Sequence, residues 1–428
     1  MNLPLNYHYK NGELYMKKFK IEELVKTYGT PLLIFDEERF IDHLLELETA
    51  FRSTRFKTGI VYASKALSLP YIYDILEYYK YYIDIVSFGE MLTAKASDFN
   101  FKHVFFHGNN KSSKELMKAI ELGVAYFVID NYEEWDRLKT IAKTRKEEIK
   151  VLIRINPRVE AETHEFIKTA TPDSKFGIDI EDNHLIQRIR GERDLNIQGF
   201  HIHIGSQIFR KDSFFKAANI LLDYYKKLKE QDIILPVINL GGGFGVAYTE
   251  KDEAFSLADF LKDYVLFLEH EIKNKDLAIK EIYIEPGRSL INDYMNTVYE
   301  IGTKKRVPGK NYLFIDGGMG DNIRPALYGA EYTAITDPKR PNDKMDFTIG
   351  GKFCESSDIL IDRISLPDPE TGDRLMVLGT GAYTYAMASN YNRFLKPMII
   401  SVHDDIHTMV ERQSIEDLLK GENHWKIR

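Results

Sequence analysis

From about residue 30 to residue 290, short β-rich runs alternate with longer amphipathic stretches, and no other feature of the chain constrains its fold as tightly. The expected strands are residues 31–35, 59–63, 83–86, 104–106, 125–129, 150–155, 197–204, 237–240 and 282–284. Helix-like stretches such as 36–53, 69–79, 113–122, 132–144 and 212–231 lie between them. Strands that alternate with helices imply βα units and a parallel sheet. Eight or nine units over about 250 residues match a (β/α)8 barrel in size. A doubly wound open sheet is the alternative that strand number leaves open.

After residue 290 the pattern changes. Runs 297–307, 312–317, 346–350, 358–364 and 375–378 are short and separated by turn-rich clusters such as Val307-Pro308-Gly309 and Leu366-Pro367-Asp368-Pro369, which reads as an all-β region. Near the start, residues 9–18 contain Asn11-Gly12, a strong two-residue hairpin signal. This hairpin is expected to pair with the β region, because a closed barrel needs no extra strand. The expected organisation is residues 1–30 as an N-terminal strand segment on the β domain, 31–290 as the barrel, and 291–428 as the β domain with a terminal helical segment.

A chain of 428 residues is too long for one ordinary core, which agrees with two domains. No run approaches the roughly 20 apolar residues of a membrane span, and the first twenty residues lack the apolar stretch of a secretory signal. These readings predict no membrane association and a cytoplasmic protein. The net charge of -7, from 58 basic and 65 acidic residues, argues against nucleic-acid binding. The single cysteine, Cys354, can form neither an intrachain disulfide nor a cysteine-rich metal site. With 26 tyrosines and 25 phenylalanines, aromatic residues are numerous enough to line a site or a subunit interface as well as the core.

Several segments carry chemistry. Val61-Tyr62-Ala63-Ser64-Lys65-Ala66 is an apolar run with one lysine, which predicts a buried strand delivering an amine to a cleft. Burial lowers a lysine pKa, and a neutral amine attacks an aldehyde where an ammonium cannot. A strand-end lysine is more often a solvated cap, so the weight rests on the other segments. Leu240-Gly241-Gly242-Gly243-Phe244-Gly245 follows a strand, where glycines let backbone amides approach an anion, and loops after late barrel strands commonly bind phosphate. In His201-Ile202-His203-Ile204-Gly205-Ser206-Gln207, His201 and His203 share a face. Two satisfied barrel histidines is the plain reading; one imidazole stacked on an aromatic cofactor, with Ser206 near a phosphate, is the functional one. Ile284-Glu285-Pro286-Gly287-Arg288 puts a carboxylate and a guanidinium just past another strand. Cys354-Glu355-Ser356-Ser357-Asp358 places the thiol among polar residues, which fits a partly exposed proton donor. Arg324-Pro325-Ala326-Leu327-Tyr328 offers a fork for a carboxylate, and Gly379-Thr380-Gly381-Ala382-Tyr383 a tight turn followed by a phenol.

Taken together, these segments and Ser174-Lys175-Phe176-Gly177 resemble, in order and over nearly the whole chain, the fold type III pyridoxal phosphate-dependent decarboxylases, which carry an alanine-racemase-like barrel and a β domain. Within that group the likeness is to the diaminopimelate decarboxylase family. The resemblance implies pyridoxal phosphate held covalently by Lys65, with Glu285 at the pyridine nitrogen and His203 stacked on the ring. A carboxylate there keeps the nitrogen protonated, so the ring draws electrons from the substrate α-carbon. It further implies a cofactor-binding set of Asp84, Ser206, Gly241, Gly242, Gly243, Gly287, Arg288 and Tyr383. Cys354 would protonate the carbanion, contributed by the second subunit of a homodimer with shared sites. Arg288, Arg324, Tyr328 and Tyr383 would bind substrate, the two arginines and Tyr328 gripping a distal carboxylate, with Glu355 on the distal ammonium. The implied reaction is decarboxylation of meso-2,6-diaminopimelate to L-lysine, the last step of lysine biosynthesis.

Three positions depart from the family pattern: Lys352 where proline is frequent, Phe88 where glycine is common, and Ala170 where glycine is usual. They bear on loop shape and substrate tolerance, and none removes a catalytic group. The alternatives are a same-fold decarboxylase of ornithine, lysine, arginine or a carboxypolyamine, and a non-catalytic cofactor carrier. A lone distal cation needs no carboxylate clamp, so Arg324, Tyr328 and Glu355 discriminate the first. Small carriers lack the β domain and Cys354, which discriminates the second.

Overall fold

The computed structural model describes residues 3–145, 147–159 and 174–423. These form two compact units, one comprising residues 41–246 and 253–290, the other residues up to 40, 247–252 and 291 onward.

The first unit is a closed barrel of eight parallel strands: Lys57–Ala63, Tyr82–Ile85, Val104–Phe106, Tyr126–Ile129, Lys150–Asn156, Asn196–His201, Val237–Asn239 and Glu281–Ile284. Each pairs with the next, and the last pairs with the first, which excludes the open-sheet alternative. Helices cover the outer face of each strand and packed side chains its inner face, so its residues are buried almost continuously; Tyr82–Ile85 and Tyr126–Ile129, for instance, are buried at every position. The interior is filled by Val61, Tyr82, Phe105, Tyr126, Leu152, Val237 and Tyr283. Large rings need small partners in a narrow barrel: a Cβ at Gly59 would lie 2.5 Å from the Tyr283 ring.

The helices start and stop where their sequences dictate. Ser113–Leu122 opens on a capping box, with Ser112 and Glu115 each accepting from the other's backbone N–H. It closes on Gly123, whose φ of 79° is readily adopted only by glycine.

The second unit is built on a sheet running Ile359–Pro367, Lys344–Gly350, Lys310–Ile315, Met295–Val307, Leu32–Asp36, Met398–Val402, Ile406–Val410, with Arg374–Val377 and Ala334–Asp337 branching from Met295–Val307. One expectation is overturned here. The sequence pattern places residues 31–35 in the βα series, yet Leu32–Asp36 lies inside this sheet, antiparallel to Met295–Val307 and parallel to Met398–Val402. All five residues are buried, and a strand buried on both faces carries no pattern that tells which sheet it joins.

The N-terminal hairpin forms as expected, Tyr7–Lys10 against Glu13–Met16, with Asn11 and Gly12 at φ of 53° and 82°. It continues to Phe19–Lys20 as a separate three-stranded sheet rather than pairing with the larger one. Packing attaches it instead: Tyr7, Leu14 and Met16 share a core with Leu32, Ile34, Val298, Met376 and Ile400, and the Leu14 N–H donates to Asp337 Oδ1 at 2.8 Å. Each fully buried side chain of this kind contributes about 1.5–3 kcal/mol.

Candidate active site

Barrel enzymes build their sites at the C-terminal ends of the strands, and in this barrel polar side chains converge there. Lys57–Ala63 runs into the tight turn Ser64–Ala66. The Ser64 N–H donates to Oδ1 of buried Asp84 at 2.9 Å, so the second strand fixes the turn that carries Lys65. Burial pushes the Asp84 carboxyl up to about 6, with His107 pulling it back and Glu285 adding to the rise. Lys65 itself is exposed, against the expectation of a desolvated amine; its neighbours Ala63, Ser64 and Ala66 are the buried residues of the turn.

Glu285 immediately follows the eighth strand and is buried. Its Oε1 contacts His107 Nε2 at 2.9 Å and accepts from Asn239 Nδ2 at 2.7 Å, while Oε2 contacts His201 Nε2 at 2.9 Å. A carboxylate has about four lone-pair sites, so one remains. Burial alone would raise its pKa; the His107 and His201 rings outweigh it and hold the carboxyl well below the usual carboxylate range. His201 is pushed down to about 4 by burial, with Glu285 opposing.

His203 is half-buried, and its Nδ1 accepts the Gly242 N–H at 3.2 Å, which puts the proton of the neutral ring on Nε2. Burial, then the Lys65 and Arg154 charges, keep this imidazole well below its ordinary pKa. The glycine run does more than approach a ligand. Gly241 has a φ of 65°, and a Cβ there would stand 2.1 Å from the Ile202 carbonyl oxygen. The amides of Gly241 and Gly242 donate to Asn239 Oδ1 and His203 Nδ1. Among the described residues, the Gly243 amide donates to none. Arg288 Nη2 donates to Ser206 Oγ at 3.3 Å, bringing two expected residues together, and Gly287 immediately precedes the short helix Arg288–Ile291.

The β unit holds the remaining candidates. Arg324 is buried in the helix Arg324–Tyr328. Its Nη1 donates to the phenol oxygens of Tyr248, at 2.8 Å, and of Tyr332. Tyr328, one turn on, is half-buried. Cys354 and Glu355 are exposed. The thiol's turn is anchored on both sides, the Phe353 N–H on Asp358 Oδ2 and the Cys354 N–H on Asn392 Oδ1, each at 2.9 Å. Tyr391 donates to Glu355 Oε2 at 3.4 Å. Tyr383 is half-buried with a φ of 61°, a conformation that a bulky residue adopts only when its surroundings impose it.

Residues 38–292 match the family described as pyridoxal-dependent decarboxylase, pyridoxal binding domain. The diaminopimelate decarboxylase of Staphylococcus aureus is 39% identical over 96% of this chain and 97% of its own length. That of Bacillus subtilis is 40% identical over 93% and 92% respectively. The chain belongs to the diaminopimelate decarboxylase family. The crystal structure of diaminopimelate decarboxylase from M. jannaschii in complex with L-lysine superposes with a TM-score of 0.92 at 30% identity, covering 98% of both chains.

For a diaminopimelate decarboxylase, the polar surroundings are richer than the motifs suggested. Lys65, Asp84, His203, Ser206, Gly241 to Gly243, Glu285, Gly287 and Arg288 come from the barrel unit; Arg324, Tyr328, Cys354, Glu355 and Tyr383 come from the β unit. Sequence reasoning missed His107 and Asn239, which hold Glu285, although each sits at the end of a barrel strand, where a polar residue is a usable signal. It missed Arg154, whose guanidinium lies 4.4 Å from the Phe176 ring and 3.9 Å from Asp130. It also missed Tyr248 and Tyr332, the two phenols to which Arg324 donates. Ala170 lies outside the described residues.

Proposed function

We propose that this chain decarboxylates meso-2,6-diaminopimelate to L-lysine and carbon dioxide, the last step of lysine biosynthesis, as a pyridoxal phosphate enzyme. The observation that carries the substrate is Arg324. It is buried, and among the described residues its side-chain partners are the Tyr248 and Tyr332 phenols, with no carboxylate paired to it. A buried cation left without an anion is costly, and a substrate with a distal carboxylate supplies that anion, whereas ornithine or a diamine does not.

The barrel residues fit the cofactor. Glu285, charged and with one lone-pair site open, suits a protonated ring nitrogen. Neutral His203, fixed by the Gly242 amide, suits the face of an uncharged ring. The Gly243 amide, Ser206, Arg288, Gly287 and Tyr383 would hold the phosphate. Asp84 holds the turn from which Lys65 would reach the cofactor aldehyde. When bound, pyridoxal phosphate supplies an electron sink for the pair left on the α-carbon as carbon dioxide departs. Cys354 would be the donor of the proton that this carbon takes up, and Lys65 would hold the cofactor between turnovers. Arg324 and Tyr328 would take the distal carboxylate, with Glu355 on the distal ammonium.

Cys354 is exposed on a single chain, and we infer that it serves a second copy's site in a homodimer. A lone exposed thiol that must stay reduced suits the reducing cytoplasm; no helix of the described residues is long and apolar enough to cross a membrane.

Carbon dioxide release by the cofactor-loaded protein tests the proposal, with meso-diaminopimelate compared against L-ornithine, L-lysine and L-arginine. Turnover of diaminopimelate alone, abolished in Lys65→Ala, is the expected result. Turnover of ornithine or lysine in its place would overturn the substrate while leaving the chemistry intact.

A further inference from the structure

The guanidinium of Arg324 is held in one orientation by two residues that carry no charge. Its Nη1 donates to both the Tyr248 and the Tyr332 phenol oxygens. Its Cζ lies 4.7 Å from the Tyr248 ring centroid and 5.5 Å from that of Tyr332, and the two rings meet edge to face at 5.2 Å. Both tyrosines are themselves fixed. Tyr332 is buried and its hydroxyl faces Asn322 Oδ1 at 3.5 Å, while the backbone N–H groups of Tyr248 and Thr249 both donate to Asp252 Oδ2 at 2.9 Å.

A guanidinium has five N–H donors in a rigid fork. The phenols engage the two on Nη1. The three on Nε and Nη2 meet no acceptor among the described residues, although Arg324 is only 4% exposed. Those two nitrogens form the side-on edge that receives a carboxylate through two parallel hydrogen bonds. Had Tyr248 or Tyr332 been acidic, the cation would be neutralised and its pull on a substrate lost.

We propose, building on the function above, that Tyr248 and Tyr332 are the positioning residues for selectivity: they turn Arg324 so that only its Nε–Nη2 edge is open, and this edge admits substrates bearing a distal carboxylate. The phenols act through Arg324 and do not touch the reacting carbon.

L-Lysine keeps the distal carboxylate and cadaverine lacks it, so calorimetric binding of the two to the holoenzyme reads this edge directly. The wild-type protein prefers L-lysine. In Tyr332→Phe, and in Tyr248→Phe made separately, L-lysine binding weakens by about tenfold. Cadaverine binding and the bound cofactor's absorption spectrum stay unchanged, and KM for diaminopimelate rises with little change in kcat. A wild-type protein that does not distinguish the two ligands would remove the functional reading itself. A wild-type preference that survives intact in both variants would overturn the role of the tyrosines and leave the function standing. Equal loss of both ligands would mean general damage to the site and would also overturn it.

Discussion

Glu285 stays charged inside a barrel because Asn239, His107 and His201 all face it, and one of these, His201, is itself kept neutral by burial. This arrangement has a pH signature. The folded His201 is pushed down to about 4, below the ordinary value of about 6.5. Between those limits the unfolded chain takes up a proton that the native one refuses. The stabilisation is therefore complete above about pH 6.5 and is lost as pH falls towards 4, a difference of roughly 3 kcal/mol. Glu285, depressed in the fold, adds to the loss only at still lower pH. In His201→Gln, whose amide can still donate to Glu285 but cannot protonate, thermal melts between pH 7 and 4.5 should show a visibly shallower decline than the wild type. Parallel declines would mean that His201 does not govern acid stability.

The loops at the barrel's C-terminal end are tied together by a buried ion pair. Lys111 Nζ donates to the Gly108 and Val128 carbonyls and to Glu134 Oε1, at 2.7, 2.8 and 2.6 Å, joining the loop behind His107 to the fourth strand and the helix Tyr132–Arg145. Each side chain is 1% exposed. Lys111→Met strands the Glu134 charge and should cost about 3–5 kcal/mol, whereas Lys111→Met with Glu134→Leu should recover much of it; denaturant unfolding of the two variants measures the difference. At this scale the sequence was legible where pattern and chemistry are local. The helix Ser113–Leu122 and the Asn11-Gly12 hairpin follow from caps and turn residues a few positions apart. The eight barrel strands follow from their periodic spacing. What escaped depends on partners distant in the chain: the sheet chosen by Leu32–Asp36, the donors His107 and Asn239 converging on Glu285, and Tyr248 and Tyr332 closing on Arg324. A glycine run read as an anion cradle proved to be set first by backbone packing, which composition cannot distinguish from ligand approach.

At the scale of the whole molecule, the proposed homodimer makes a prediction that neither subunit alone can meet. If Cys354 acts in the partner's site, then inactive Lys65→Ala and inactive Cys354→Ala proteins, unfolded and refolded together, should regain about a quarter of wild-type carbon dioxide release, since half the dimers are mixed and each mixed dimer has one intact site. No recovery despite mixed dimers on a sizing column would place both residues in one subunit's site. The sheet of the β unit bears on how the chain is made. Leu32–Asp36 leaves the ribosome before the strands on either side of it, which begin at Met295 and Met398. At about 5–20 residues per second, its first neighbour arrives roughly 15–50 seconds later, after all eight barrel strands have been synthesised. The earliest strand of this sheet is thus held unpaired through the birth of the barrel, and an apolar edge left open that long invites wrong pairing. The need for a nascent-chain chaperone should therefore fall on the first forty residues, and be relieved only as the far end of the chain is translated.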